Sequence, residues 1–133
     1  MSFCTNEITT SQHTAAYDHA FNKIAAERKV VKFVQDLGIR TNLKGYNLLI
    51  FGICRCMEEP NLSHHMTKGL YPCIAKHYGI TAINVERNIR AAIENAYNTN
   101  PKRIQAMFYY NVGKPCISEV VTLAIEKIMR GID

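Results

Sequence analysis

The sequence predicts an all-α fold: five or six helices around one core, two of them arranged as a helix-turn-helix. Three observations carry that expectation. Apolar residues recur at helical spacing in several segments, those segments end at glycine or proline, and no stretch shows the apolar–polar alternation of a strand. A length of 133 residues with 47% hydrophobic composition suits one core and is short for two ordinary domains. No internal repeat or low-complexity segment interrupts it.

Residues 1–13 are polar, rich in Ser and Thr and without helical periodicity, so they are expected to form a flexible N-terminal arm ahead of a helical domain over 14–133. From Thr14 to Leu37, Tyr17, Phe21, Ile24, Val30, Val31 and Val34 suggest a helix stopped by Gly38. Leu43 to Met57 is apolar on nearly every side, which marks a central buried helix, and Glu58-Glu59-Pro60-Asn61 breaks it. Leu70 to Tyr78 and a segment after Thr81 read as two helices about Gly79, with a short helix over Pro101–Tyr109 beyond them. Asn111-Val112-Gly113-Lys114-Pro115 is a turn-rich connection. The last helix starts near Ser118 and carries Val120, Val121, Ala124, Ile125 and Ile128 as one stripe, with Lys127 and Arg130 complementing its C-terminal dipole.

The second helix about Gly79 is the most specified part of the chain. Thr81 is a good N-cap, and Ile80 is placed to pack on Val85 as a hydrophobic staple. At about 100° per residue, Val85, Ile89, Ala92, Ile93 and Ala96 fall on one side, while Ile83, Arg87, Arg90 and Glu94 fall on the other. The first set is expected in the core and the second in solvent. Ala75 is small where the two helices approach, Gly79 permits a left-handed turn, and Ile74, Ile80 and Val85 supply apolar contacts between them.

An outward arginine early in such a helix can present two parallel N–H donors to guanine O6 and N7. Arg87 has that place, and Arg90, one turn later, suits a phosphate. Glu86 is a candidate acceptor for cytosine N4, and Ile83 offers an apolar contact to a thymine methyl. A formal charge of +5, from 16 Lys and Arg against 11 Asp and Glu, favours a polyanionic partner without demanding one. The competing reading is that Arg87 and Arg90 only solvate a helix face.

Other constellations are weaker. Cys54, Cys56, His64, His65, Cys73 and His77 include zinc-ligand residue types, yet Cys54 and Cys56 point about 200° apart on a helix, so Cys54 and Cys73 are expected as small core residues. His64 and His65 are expected to be exposed. Cys73 and His77 have the i, i+4 spacing of a thiol–imidazole pair, but no oxyanion-forming turn or third orienting group lies nearby in sequence. No metal, cofactor or catalytic role is expected. The odd set Cys4, Cys54, Cys56, Cys73 and Cys116 shows no disulfide framework and points to a reducing cytoplasm. The longest apolar run, Leu48 to Cys54, is far short of the about 18 residues that span a bilayer.

Three runs carry a family resemblance: Asn42-Leu43-Lys44-Gly45-Tyr46; Thr67-Lys68-Gly69-Leu70-Tyr71-Pro72 with Ile74-Ala75-Lys76; and Val85-Glu86-Arg87 with Ile89-Arg90 and Ala92-Ile93-Glu94. From about Glu27 to the C-terminus the chain resembles the C-terminal effector domain of the stage-zero sporulation transcription factors of endospore-forming bacteria. The resemblance implies a helical domain that binds short double-stranded DNA boxes in tandem, as a dimer on DNA, and acts on bacterial RNA polymerase. It assigns DNA contact to Glu86, Arg87 and Arg90. Asn84 stands where the family has a DNA-contacting arginine, Ile83 and Ala91 replace a serine and a histidine, and Asn42 replaces a histidine. Lys76, Lys44 and Lys68 are expected to hold or approach phosphates.

The segment from about Asn98 to Tyr110 matches the family's contact with the polymerase sigma subunit, although Lys102 and Arg103 make it basic where the family is more acidic. The residues before Glu27 are too few for the family's phosphorylatable receiver domain, so the expectation is an effector domain without that switch. The alternative is a protein-interaction module, or a competitor acting on polymerase or a full-length regulator without a strong DNA site of its own.

Overall fold

The computed structural model describes residues 23–110 and 112–131, and the expected arm over 1–13 lies outside them, as do Tyr17 and Phe21. Six α-helices are present among the described residues, with no strand. The first, α1, covers 23–36. Val30, Phe33, Val34 and Leu37 bury its inner face, while Ile24, expected in the stripe, is exposed. The apolar spacing from residue 30 onward sets the buried face, and Ile24 lies nearly two turns before that stretch.

Gly38 follows with φ +94°, and its N–H reaches the carbonyl of Gln35, so the chain turns where the sequence places a stop. Helix α2 (Lys44–Glu58) is the central element expected. It buries Tyr46, Leu48, Leu49, Ile50, Ile53 and Cys56, packs most extensively on α4, and also meets α3 and α6. Cys56 is therefore the core thiol, and Cys54 and Cys73, expected in that role, are only half-buried. On a helix that is apolar nearly all round, the residue type did not say which of two neighbouring thiols faces inward.

Pro60–His64 then forms a 3-10 turn and Met66–Leu70 a π turn, two elements with no signature in the hydrophobic pattern. Leu70 closes the π turn, so helix α3 (Tyr71–Tyr78) starts one residue later than the pattern suggests, with Pro72 in its first turn, where a missing N–H costs nothing. Helix α4 (Ala82–Thr99), at 18 residues, is the longest of the described helices.

After α4, Asn100 caps the short helix α5 (Pro101–Gln105) by accepting the N–H of Arg103 at 3.3 Å. Residues 106–110 continue as turns and bends, so the expected helix to Tyr109 ends early. Helix α6 (Ile117–Met129) begins where the carboxylate of Glu119 accepts the N–H of Cys116 at 3.0 Å. That bond holds the Glu119 carboxyl below the usual carboxylate range. Val120, Val121, Leu123, Ala124 and Ile128 bury its inner face, with Ile125 half-buried. One cluster of buried apolar residues runs from Val30 to Ile128 and draws on all six helices.

Candidate nucleic-acid interface

The geometry between α3 and α4 follows from three residues. Gly79 takes φ +69° and ψ +34°, a left-handed conformation that the absence of a Cβ permits, and Ile80 N–H donates back to the Ala75 carbonyl at 3.1 Å. Thr81 is extended, and its Oγ1 accepts the N–H of Asn84 at 3.1 Å, which satisfies one of the open donors at the start of α4. Two residues of turn and one cap thus separate the helices. Val85 is fully buried while Ile80 is 36% exposed, so Val85 anchors the helix start and the expected staple with Ile80 is at most partial.

The inner face of α4 is the one read from the periodicity: Val85, Ile89, Ala92, Ile93 and Ala96 are its buried residues. α3 packs directly on α4 and buries Ile74 and small Ala75, the Ile74 side chain reaching α2 at Gly52. α2 meets it more closely still. A Cβ on Gly45 would stand 2.3 Å from the Asn88 carbonyl oxygen and 2.8 Å from the Ala92 Cβ, so the two backbones approach at a distance only glycine allows. Asn88, half-buried on α4, thus meets α2 through its backbone carbonyl.

The outer face carries the candidate side chains. Ile83 is 69% exposed, and Asn84, Arg87 and Arg90 are exposed as well. Among the described residues Arg87 has no ion pair. Arg90 does: its guanidinium holds the Glu86 carboxylate at 2.5 Å, one turn back. Glu86 is half-buried, and on the flank of α4 it and Arg90 border a cleft of ≈ 360 Å³ floored by Met66, Tyr71 and Ile93. Burial first, and then the Glu86 charge, pushes the Tyr71 phenol upward. Lys114, on the connection before α6, closes the far rim of this cleft by pairing with Glu94 at 3.1 Å. Sequence reading did not single out Lys114, because a residue 20 positions away on a loop gives no periodic signal.

The expected phosphate-side lysines are all exposed. Lys76 lies in the last turn of α3, where a cation also complements the helix dipole. Lys44 is the first residue of α2, next to the Gly45 contact with α4. Lys68 lies in the π turn, whose packing partners are the 3-10 turn, α2 and α3. The structure therefore gathers Ile83, Asn84, Glu86, Arg87 and Arg90 on one helix, sets Lys76 and Lys44 on its two supporting helices, and leaves Lys68 one element away.

Arg103 differs from its expected place on a basic contact segment. Its Nε donates to the Asp36 carbonyl at 2.8 Å and a terminal nitrogen to the Gln35 carbonyl at 3.1 Å, so the guanidinium closes the C-terminal end of α1. A charged fork satisfies open helix carbonyls better than water-exposed display would. Lys102 remains exposed.

The cysteine and histidine constellations disperse. His77 stacks on Phe51 with ring centroids 4.1 Å apart, and Cys73 lies beside the Arg55 guanidinium. Burial pushes the Cys54 and Cys56 thiols up to about 11. Among the described residues no three His, Cys, Asp or Glu side chains are grouped to hold a metal ion, and no helix is long and apolar enough to cross a membrane. His64 and His65 are exposed.

The family model described as sporulation initiation factor Spo0A C terminal matches residues 30–128. That span holds both helices about Gly79 and every candidate side chain named above.

Proposed function

The chain belongs to the sporulation initiation factor Spo0A C-terminal family, and from that premise we propose a sequence-specific double-stranded-DNA-binding regulator of transcription, acting in the cytoplasm without catalysis or cofactor. In this reading α3, the Gly79 turn and α4 form a helix-turn-helix with the start of α4 in the major groove. The observation that carries it is Arg87: an exposed guanidinium without an ion pair among the described residues, on a helix seated by close backbone contact with α2.

Arg87 would read guanine with two parallel donors, and Glu86 would accept from cytosine N4. For Glu86 to do so, Arg90 must exchange its carboxylate for a DNA phosphate, a trade between two anionic partners. Lys76 and Lys44 would neutralise phosphates on either side, with Lys68 more peripheral. Their exposure and the chain's net charge of +5 support that division of labour. Tandem boxes and a dimer on DNA belong to the same proposal.

Selection from a random duplex library followed by binding titrations across salt tests the reading. Bound duplexes should share a short box, with log affinity falling linearly against log salt. Arg87→Ala should cost about 5- to 150-fold in discrimination at one base pair, the equivalent of about 1–3 kcal/mol, and Lys76→Ala should weaken all duplexes alike. Failure to retain any duplex in dilute buffer overturns the proposal.

A second reading, contact with the polymerase sigma subunit, is favoured by Tyr109 and Tyr110. They stand side by side after α5, 68% and 57% exposed. Lys127 lies 5.4 Å from the Tyr109 ring centroid, and the Tyr110 hydroxyl reaches Glu119 at 3.3 Å, so both rings are steadied at the surface. Tyr109→Ser should weaken capture of the sigma subunit while leaving DNA titrations unchanged.

A further inference from the structure

We infer that the first turn of α4 selects an A·T base pair through Asn84 and Ile83, beside the guanine assigned to Arg87; this rests on the DNA-binding reading above. The turn is organised for such a task. Thr81 accepts the backbone N–H of Asn84, and the Asn84 carboxamide is exposed with no hydrogen bond among the described residues. Ile83 is the most exposed large apolar side chain described, at 69%, and it sits on the face opposite the core, where it supports no packing. An exposed isoleucine gains nothing from water, and the hydrated carboxamide beside it is free to exchange water for another partner. The pair does suit a base edge that offers a methyl group together with a donor and an acceptor.

Helix geometry places these groups around Arg87. At about 100° per residue, Ile83 and Asn84 lie about 40° and 60° to either side of Arg87, one turn nearer the helix start. Asn84 and Arg87 are about 4.5 Å apart along the axis, comparable to the about 3.4 Å rise between stacked bases. They can therefore meet neighbouring base pairs. The Asn84 Oδ1 accepts from adenine N6, its Nδ2 donates to adenine N7, and Ile83 covers the thymine C5-methyl. Only an A·T pair in the major groove presents all three groups. Glu86 and Arg90 do not compete for this position, since both border the cleft on the neighbouring flank of α4.

The test uses the full chain and the box recovered by library selection, in four duplexes that differ only at the base pair next to the one lost in Arg87→Ala. Wild type should prefer A·T there by about 5- to 150-fold, Asn84→Ala should abolish that preference alone, and Asn84→Arg should move it to G·C. Deoxyuridine in place of the thymine removes only the methyl; it should weaken wild type several-fold and leave Ile83→Ala unaffected. If Arg87→Ala alters base choice while both Asn84 variants keep the wild-type profile, the inference is overturned and DNA binding stands. It is equally overturned if deoxyuridine weakens wild type and Ile83→Ala alike. If no duplex binds, the DNA-binding reading fails and takes the inference with it.

Discussion

Replacing Gly45 with alanine adds one methyl group at the place where α2 and α4 approach most closely. That methyl would stand 2.3 Å from the Asn88 carbonyl oxygen, where an ordinary C···O approach is about 3.3 Å or more. It would also stand 2.8 Å from the Ala92 Cβ, against about 3.5–4.0 Å for relaxed carbon contacts. Both obstacles belong to α4's backbone or to a Cβ fixed to it, so no side-chain rotation relieves them and α4 itself must shift by about 1 Å. Overpacking of this kind costs about 1–3 kcal/mol and sometimes more, and two rigid overlaps place it at the upper end. Helix propensity opposes this only in part: alanine is favoured over glycine by about 0.5–1 kcal/mol mid-helix, and Gly45 is the second residue of α2. Overlap wins, leaving a net loss of about 2 kcal/mol or more.

For a domain of this size such a loss lowers Tm by on the order of 10 °C. Calorimetry or a urea titration of Gly45→Ala reads it directly, with Gly113→Ala as control, since a Cβ there meets nothing within 4 Å and should leave stability within about 0.5 kcal/mol. DNA affinity should fall along with stability, because the displaced helix is the one assigned to the groove. A Gly45→Ala protein that melts at or above the wild-type temperature would refute the close approach and the reasoning built on it.

Arg103→Met should destabilise by about 1–2 kcal/mol through loss of two charge-assisted bonds, with faster amide exchange confined to the end of α1 as the distinguishing readout. Glu86→Gln removes the acceptor offered to cytosine N4 and the anion that holds Arg90; preference for cytosine at one position should fall, while duplexes without that cytosine bind several-fold more tightly. A uniform rise for all duplexes would show that Glu86 reads no base. Glu119 gives a pH dependence. Its carboxyl is held below the unfolded value of about 4.3 by the Cys116 N–H, so its stabilisation is full above that value and is lost as pH falls through the folded one. Urea midpoints taken between about pH 6 and 3 should fall less steeply in Glu119→Gln than in wild type.

The parts legible in the sequence are those that a period or a cap specifies. The five buried residues of α4, the Gly38 and Gly79 stops and the Thr81 cap all follow from local spacing and side-chain chemistry, and all appear where expected. What escaped depends on residues distant in sequence. Gly45 faces the Asn88 carbonyl of a helix more than 40 positions on, and nothing in its neighbours announces a helix crossing. Arg103 looked like surface charge because its acceptors are backbone carbonyls, which every residue owns and no pattern marks. The 3-10 and π turns over Pro60–Leu70 are too short to show a period of their own. Of the candidate site, the helical wheel shows the exposure of Arg87 and Arg90, and i, i+4 spacing permits the Arg90–Glu86 pair without telling it apart from separate roles for the two side chains.

The Arg103 clasp also bears on synthesis. Helix α1 emerges from the ribosome before α5, and the guanidinium that finishes its last turn is translated 67 residues after Asp36. At about 5–20 residues per second, α1 waits several seconds or more with its trailing carbonyls turned to water. A nascent chain halted before that arginine lacks the link between its beginning and its middle, which delays cooperative protection until most of the domain has left the exit tunnel.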